Sequence, residues 1–149
     1  MAQAVMFHVP GKPQGKARAR TFYDGRIGRS VSVTPEHTVL YENLIKEMYL
    51  QAAGGIQADR GIPILLRIIA RFKPPKSAAK KEKLAMLDGK IFPLKKPDID
   101  NIVKVVADAL NGVAYHDDTQ IVQVIAKKVY SALDGLDVTV EEYIDTEGR

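Results

Sequence analysis

The sequence predicts an α/β (mixed α+β) domain: a small mixed β-sheet with helices packed on it. Three observations carry that expectation. Alternating apolar residues open and close the chain, at Val5, Phe7 and Val9 and again at Leu136, Val138 and Val140. A long β-branched run, Pro63 to Phe72, suits a buried central strand, because it is apolar on both faces and too short for a membrane. Between these, two stretches carry apolar residues at helical spacing. With 149 residues and neither repeat nor linker, one domain spanning 1–149 is expected.

The first strand stops at Pro10-Gly11, and His8 on it reads as a structural or surface residue rather than a ligand. The segment from Lys12 to Arg20 holds Pro13 and Gly15, which oppose helix. If it is extended, Lys16, Arg18 and Arg20 project to one side. Thr21-Phe22-Tyr23 and the residues from Ile27 onward flank Asp24-Gly25, a hairpin signal, and Val31 and Val33 extend the return strand.

Thr34-Pro35-Glu36 is a helix start, with threonine as cap, proline at the first position and an acid at the positive end of the dipole. Tyr41, Leu44, Ile45, Met48, Tyr49 and Ala52 form its stripe, and Gly54-Gly55 ends it. After the central strand, Lys73-Pro74-Pro75 breaks the chain. Ser77 is expected to cap a short helix carrying Lys80, Lys81 and Lys83 over Leu84 and Leu87. A third helix is expected from an Asn101 cap, with Ile102, Val105, Val106, Ala109 and Leu110 on its apolar face and Gly112 as its stop. Asp117 and Asp118 then open a strand from Gln120 to Tyr130, buried on one side from Ile121, and the last residues from Asp145 fray.

Composition excludes several function classes. The absence of cysteine removes disulfides, thiolate metal sites and cysteine nucleophiles. Three scattered histidines argue against a zinc centre. No apolar run reaches the ~20 residues of a membrane span and Met1-Ala2-Gln3 begins no signal peptide, so a cytoplasmic location is the expectation. The net charge of +4 hides a strong asymmetry. Lys12 to Arg29 holds six basic residues against one acid, and Arg71 to Lys96 holds nine against two, whereas eleven acids face four bases from Pro97 onward. Basic segments beside an acidic cluster suit a polyanion held next to a metal. Lys12, Lys16, Arg18, Arg20, Lys73, Lys76, Lys80, Lys95 and Lys96 are the candidate DNA contacts, weighed against plain solvated surface.

The acidic cluster is the chemical centre. On an extended backbone Asp98 and Asp100 leave the same face. Lys104 lies one turn after Asp100, and Asp108 could orient that lysine through an i,i+4 pair. Like charges ~4 Å apart repel by about 1 kcal/mol in water and about 4 at an effective dielectric near 20, so a divalent cation would relieve the cluster. Carboxylates without sulfur or imidazole suit Mg²⁺ or Mn²⁺, and with phosphodiester as the polyanion the reaction class becomes metal-assisted hydrolysis. Neither an EF-hand, a Walker-type phosphate loop nor a serine nucleophile elbow is present.

Read as motifs, Lys96-Pro97-Asp98-Ile99-Asp100-Asn101-Ile102-Val103-Lys104, then Asp108-Ala109-Leu110-Asn111-Gly112, then Asp117-Asp118-Thr119-Gln120-Ile121 resemble the signature of the RusA family of Holliday-junction resolvases. Val9 to Pro13 and Lys16 to Arg20 are similar to that family's basic N-terminal stretch. The resemblance implies a RusA-like fold and a catalytic set of Asp98, Asp100, Asp118 and Lys104. The same three aspartates would hold Mg²⁺ (Mn²⁺ substituting), with Asp117 as an additional ligand or a residue behind them. It also implies a homodimer acting on four-way DNA junctions, of the kind encoded by phages or prophages. Two sites related by a two-fold axis match two strands of like polarity in such a junction. Two other readings compete: a Mg²⁺ nuclease directed to flaps or forks, and a non-catalytic DNA-binding module whose acids hold a structural ion.

Overall fold

The computed structural model describes residues 4–146. The expectation for Met1-Ala2-Gln3 and the part of the expected frayed tail at 147–149 lie outside the described residues. Ten elements follow in order: β1 (Val5–Pro10), β2 (Arg20–Asp24), β3 (Arg29–Val33), α1 (Glu36–Ala53), β4 (Ile64–Phe72), α2 (Lys80–Leu87), α3 (Ile99–Leu110), a 3₁₀ turn (Asp118–Gln120), β5 (Ile121–Tyr130) and β6 (Gly135–Glu142). The main sheet has the order β1-β6-β4-β5, and β2 and β3 form a separate hairpin. β6 is antiparallel to both β1 and β4, while β4 and β5 run parallel, so the sheet is mixed as expected.

The parallel pair explains the crossover through α2 and α3, since parallel neighbours need a long connection. Helices α1 and α3 pack on each other; α1 covers β1 and α3 touches β5. The alternation read at the chain ends is realised: Val5, Phe7 and Val9 of β1 and Leu136, Val138 and Val140 of β6 are all buried. They face Tyr41, Ile45 and Tyr49 of α1 and Ile102, Val105 and Val106 of α3 in one apolar cluster. Phe7 meets Tyr49 edge-on at 5.7 Å. Outward-facing strand positions carry polar contacts instead, with Asp137 hydrogen-bonded to His8 at 2.8 Å and paired with Arg71 at 2.6 Å.

Several local expectations are corrected. The α3 helix is capped at Asp98, not Asn101, so Asp100 lies in its first turn. Asp98 is the extended cap residue and Asp100 the second helical residue, so the two do not lie on one extended strand. Pro35 and Ala79, not Thr34 and Ser77, occupy the cap positions of α1 and α2, and neither makes a side-chain cap bond. Met86 is the buried residue of α2, whereas Leu84 and Leu87 are exposed. The α1 stripe ends on Ala53 rather than Ala52. Asp118 belongs to a 3₁₀ turn that precedes the strand. β5 is an edge strand with no fully buried residue, because only β4 flanks it.

Candidate active site

The N-terminus of α3 is held by the basic segment that follows β1. The Lys16 amide donates to the Asn101 carbonyl at 2.9 Å, and Gly15 packs so closely that a Cβ there would lie 2.8 Å from Asn101 Cβ and 3.1 Å from Pro97 Cβ. A glycine is required at this point by contact, not by backbone angle. Asp98 and Asp100, between the two contacted residues in the chain, face solvent. The Lys96 ammonium lies 3.9 Å from Asp98 Oδ2.

One turn further, Lys104 Nζ pairs with Asp108 Oδ1 at 3.0 Å, the i,i+4 geometry anticipated for it. The other oxygen of Asp108 takes the Lys16 ammonium at 3.3 Å, and Lys16 also pairs with Glu42 of α1 at 3.0 Å. Burial opposes the charge on Lys16, but its hydrogen bonds to Glu42 and Asp108 outweigh that and raise its pKa above the ordinary 10.5. Lys16, a candidate DNA contact, is therefore partly buried between two carboxylates.

Asp117 and Asp118 are ordered by Gln120. Its side-chain oxygen accepts from the amides of His116 (2.8 Å) and Asp117 (3.2 Å), and its amide nitrogen donates to the carbonyls of Asp59 (2.8 Å) and Ile62 (3.0 Å). Asp117 also accepts the Thr119 hydroxyl at 2.8 Å, which leaves Asp118 the less engaged of the pair. Beneath them the Tyr115 hydroxyl donates to the Ala107 carbonyl at 2.7 Å. Burial, and then the negative charges of Asp118, Asp108 and Asp117, push the Tyr115 pKa upward. Among the described residues, no three acidic or histidine side chains stand close enough together to hold one metal ion. Asp98 and Asp100 stand at the start of α3, and Asp118 lies in the 3₁₀ turn that follows the helix.

The remaining candidates divide. Lys12, Lys73, Lys95 and Lys96 come together around one cavity, with Phe72 and Tyr130. Arg18, Arg20, Lys76 and Lys80 are exposed elsewhere. Sequence reading gave Gln120 and Lys128 no role, although Gln120 lies inside the third motif block. Lys128 lies 5.8 Å above the Phe72 ring and donates to the Lys95 carbonyl.

The comparisons with known proteins bear on this arrangement. A family model described as Endodeoxyribonuclease RusA matches residues 10–141, which takes in the basic segment, α3 and the aspartate turn. The chain belongs to the RusA endodeoxyribonuclease family. It is 43% identical over 145 residues to "Uncharacterized protein YqaN" of Bacillus subtilis (strain 168), covering 93% of this chain and 96% of that protein. Membership of the RusA family indicates an endodeoxyribonuclease acting on branched DNA. Among the described residues, no helix is long and apolar enough to cross a membrane. The donor set itself suits a divalent metal: the available ligands are carboxylates, and Asp98 and Asp100 are open to solvent.

Proposed function

We propose that this RusA-family chain is a Mg²⁺-dependent endonuclease that resolves Holliday junctions by nicking two opposed strands symmetrically, as a homodimer. The observation that carries the proposal is the layout of α3. Two solvent-open carboxylates stand at its start, beside Lys96. Lys104 follows one turn later, anchored by Asp108.

Asp98, Asp100 and Asp118 would hold the ion, with Asp117 as an additional ligand. A bound divalent cation would polarise the scissile phosphate and lower the pKa of a water. The chain's own residues do the rest. The Lys104 ammonium, kept in place by Asp108, stabilises charge growing on the phosphoryl oxygens. Lys12, Lys73, Lys95 and Lys96 hold the strand by its phosphates, with Arg18, Arg20, Lys76 and Lys80 extending the contact. Among the described residues these acids do not already form a three-ligand cluster, so loading would draw them together.

A labelled synthetic four-way junction, incubated with Mg²⁺ or with chelator, tests the proposal against flap, fork and linear duplex. Paired nicks in the junction that vanish with chelator are expected. Preferred cutting of flaps or forks would transfer the activity to those substrates, and binding without any product would mark a non-catalytic module.

A further inference from the structure

We propose that the cavity at the carboxyl ends of β4 and β5 holds a single unstacked nucleotide of the DNA strand next to the metal-binding acids. This rests on the junction-nuclease reading above and adds to it a site for one base. The cavity, about 270 Å³, is lined by Phe72, Tyr130, Lys12, Lys73, Lys95 and Lys96. Phe72 and Tyr130 are register partners at the ends of two parallel strands, and the crevice beyond such ends is where α/β sheets seat ligands.

The lining has the chemistry of a nucleotide site. Four ammonium groups arrive from three separate segments: after β1, after β4 and before α3. The lone acid among the lining residues, Asp134, has one oxygen occupied by the Lys73 backbone amide at 2.8 Å. Phosphate alone would be served by the lysines; the partly exposed Tyr130 ring, backed by the buried Phe72, adds a surface for a planar base. Stacked duplex offers no free base face to a concave site of this size. A nucleotide at a branch point has already lost a stacking partner, so it enters at lower cost. The cavity would thereby convert branch geometry into binding preference. Lys96 fixes its place relative to the chemistry, since it lines the cavity and lies 3.9 Å from Asp98.

The test uses the full chain and junctions carrying 2-aminopurine either at the branch or in mid-arm, bound in chelator. With the wild-type protein, fluorescence is expected to change only for the branch position. Tyr130→Ala should abolish that change, weaken junction binding roughly tenfold and narrow the preference over linear duplex, while Tyr130→Phe restores all three. Lys73→Ala, at an exposed position, should weaken binding without touching the fold. Wild-type behaviour of both Tyr130→Ala and Lys73→Ala overturns the inference and leaves the nuclease reading standing. As a separate arm, a thymidine tetranucleotide should shift the ring resonances of Phe72 and Tyr130. If it does so in a chain that cuts no junction, the site survives and the nuclease reading fails. Equal shifts with a free deoxynucleoside monophosphate would make it a free-nucleotide site and overturn the proposal.

Discussion

Asp108 joins Lys16 to Lys104: one carboxylate oxygen takes the Lys16 ammonium at 3.3 Å and the other takes that of Lys104 at 3.0 Å. One side chain thus ties the basic N-terminal segment to the helix of the candidate site. Asp108→Asn is expected to release Lys104 and lower the cleavage rate ten- to a hundredfold with junction affinity largely kept. The stability loss should be about 1–3 kcal/mol, since a partly buried Lys16 would keep Glu42 alone. Single-turnover cleavage and thermal melts read the two effects. An unchanged rate would show that Asp108 does not hold Lys104 in place for the chemistry.

The same link has a pH signature. The raised pKa of Lys16 means that its contribution is complete below the unfolded value of 10.5 and is lost as pH rises through the higher folded value. The melting difference between wild type and Lys16→Met should therefore be flat across neutral pH and shrink in strong alkali. A difference that already vanishes near neutrality would contradict the pairing.

Asp98→Asn and Asp100→Asn should each abolish Mg²⁺-dependent cleavage while junction binding stays equal or tightens, because a ligand and a negative charge beside phosphate are both removed. Gel-shift and cleavage assays on the same junction separate the two readouts. Full activity in either variant refutes the ligand assignment.

Gly15→Ala should cost about 1–3 kcal/mol, because the new Cβ would press on Asn101 and Pro97. Displacing the start of α3 should also slow cleavage more than it weakens binding. Chemical denaturation of the variant checks the first effect, and a wild-type midpoint would show that the contact yields.

Gln120→Glu keeps the acceptor for His116 and Asp117 but loses the donor to Asp59 and Ile62. The aspartate turn should loosen, seen as faster amide exchange at residues 116–120 and a reduced cleavage rate. Protection equal to wild type would show that the backbone holds the turn unaided.

Replacing Arg18 and Arg20 together by alanine should weaken junction binding and reduce the slope of log affinity against log salt by about 1–2, since each arginine that neutralises a phosphate accounts for about one unit of it. An unaltered slope would exclude both from the interface.

Period and punctuation decided much of this protein in one dimension. The alternation in β1 and β6, the apolar run of β4, the α3 stripe and the stop at Gly112 follow from where water is excluded, which side-chain order alone expresses. The i,i+4 spacing of Lys104 and Asp108 was equally readable, since helix geometry places that pair. The caps were misplaced because threonine, serine and asparagine only favour such positions, and Pro35, Ala79 and Asp98 occupy them here.

Long-range placement was a different matter. Lys16 comes to Asp108 and Gln120 to Asp59 only because separate segments are folded against each other, a relation no local spacing encodes. That Asp98, Asp100 and Asp118 do not already form a three-acid cluster is likewise a matter of tertiary placement. Lys12, Lys73, Lys95 and Lys96 are candidate DNA contacts in two separate basic stretches of the chain. Only the parallel pairing of β4 with β5 gathers them around Phe72 and Tyr130, because it brings two strand ends and two loops to one edge of the sheet.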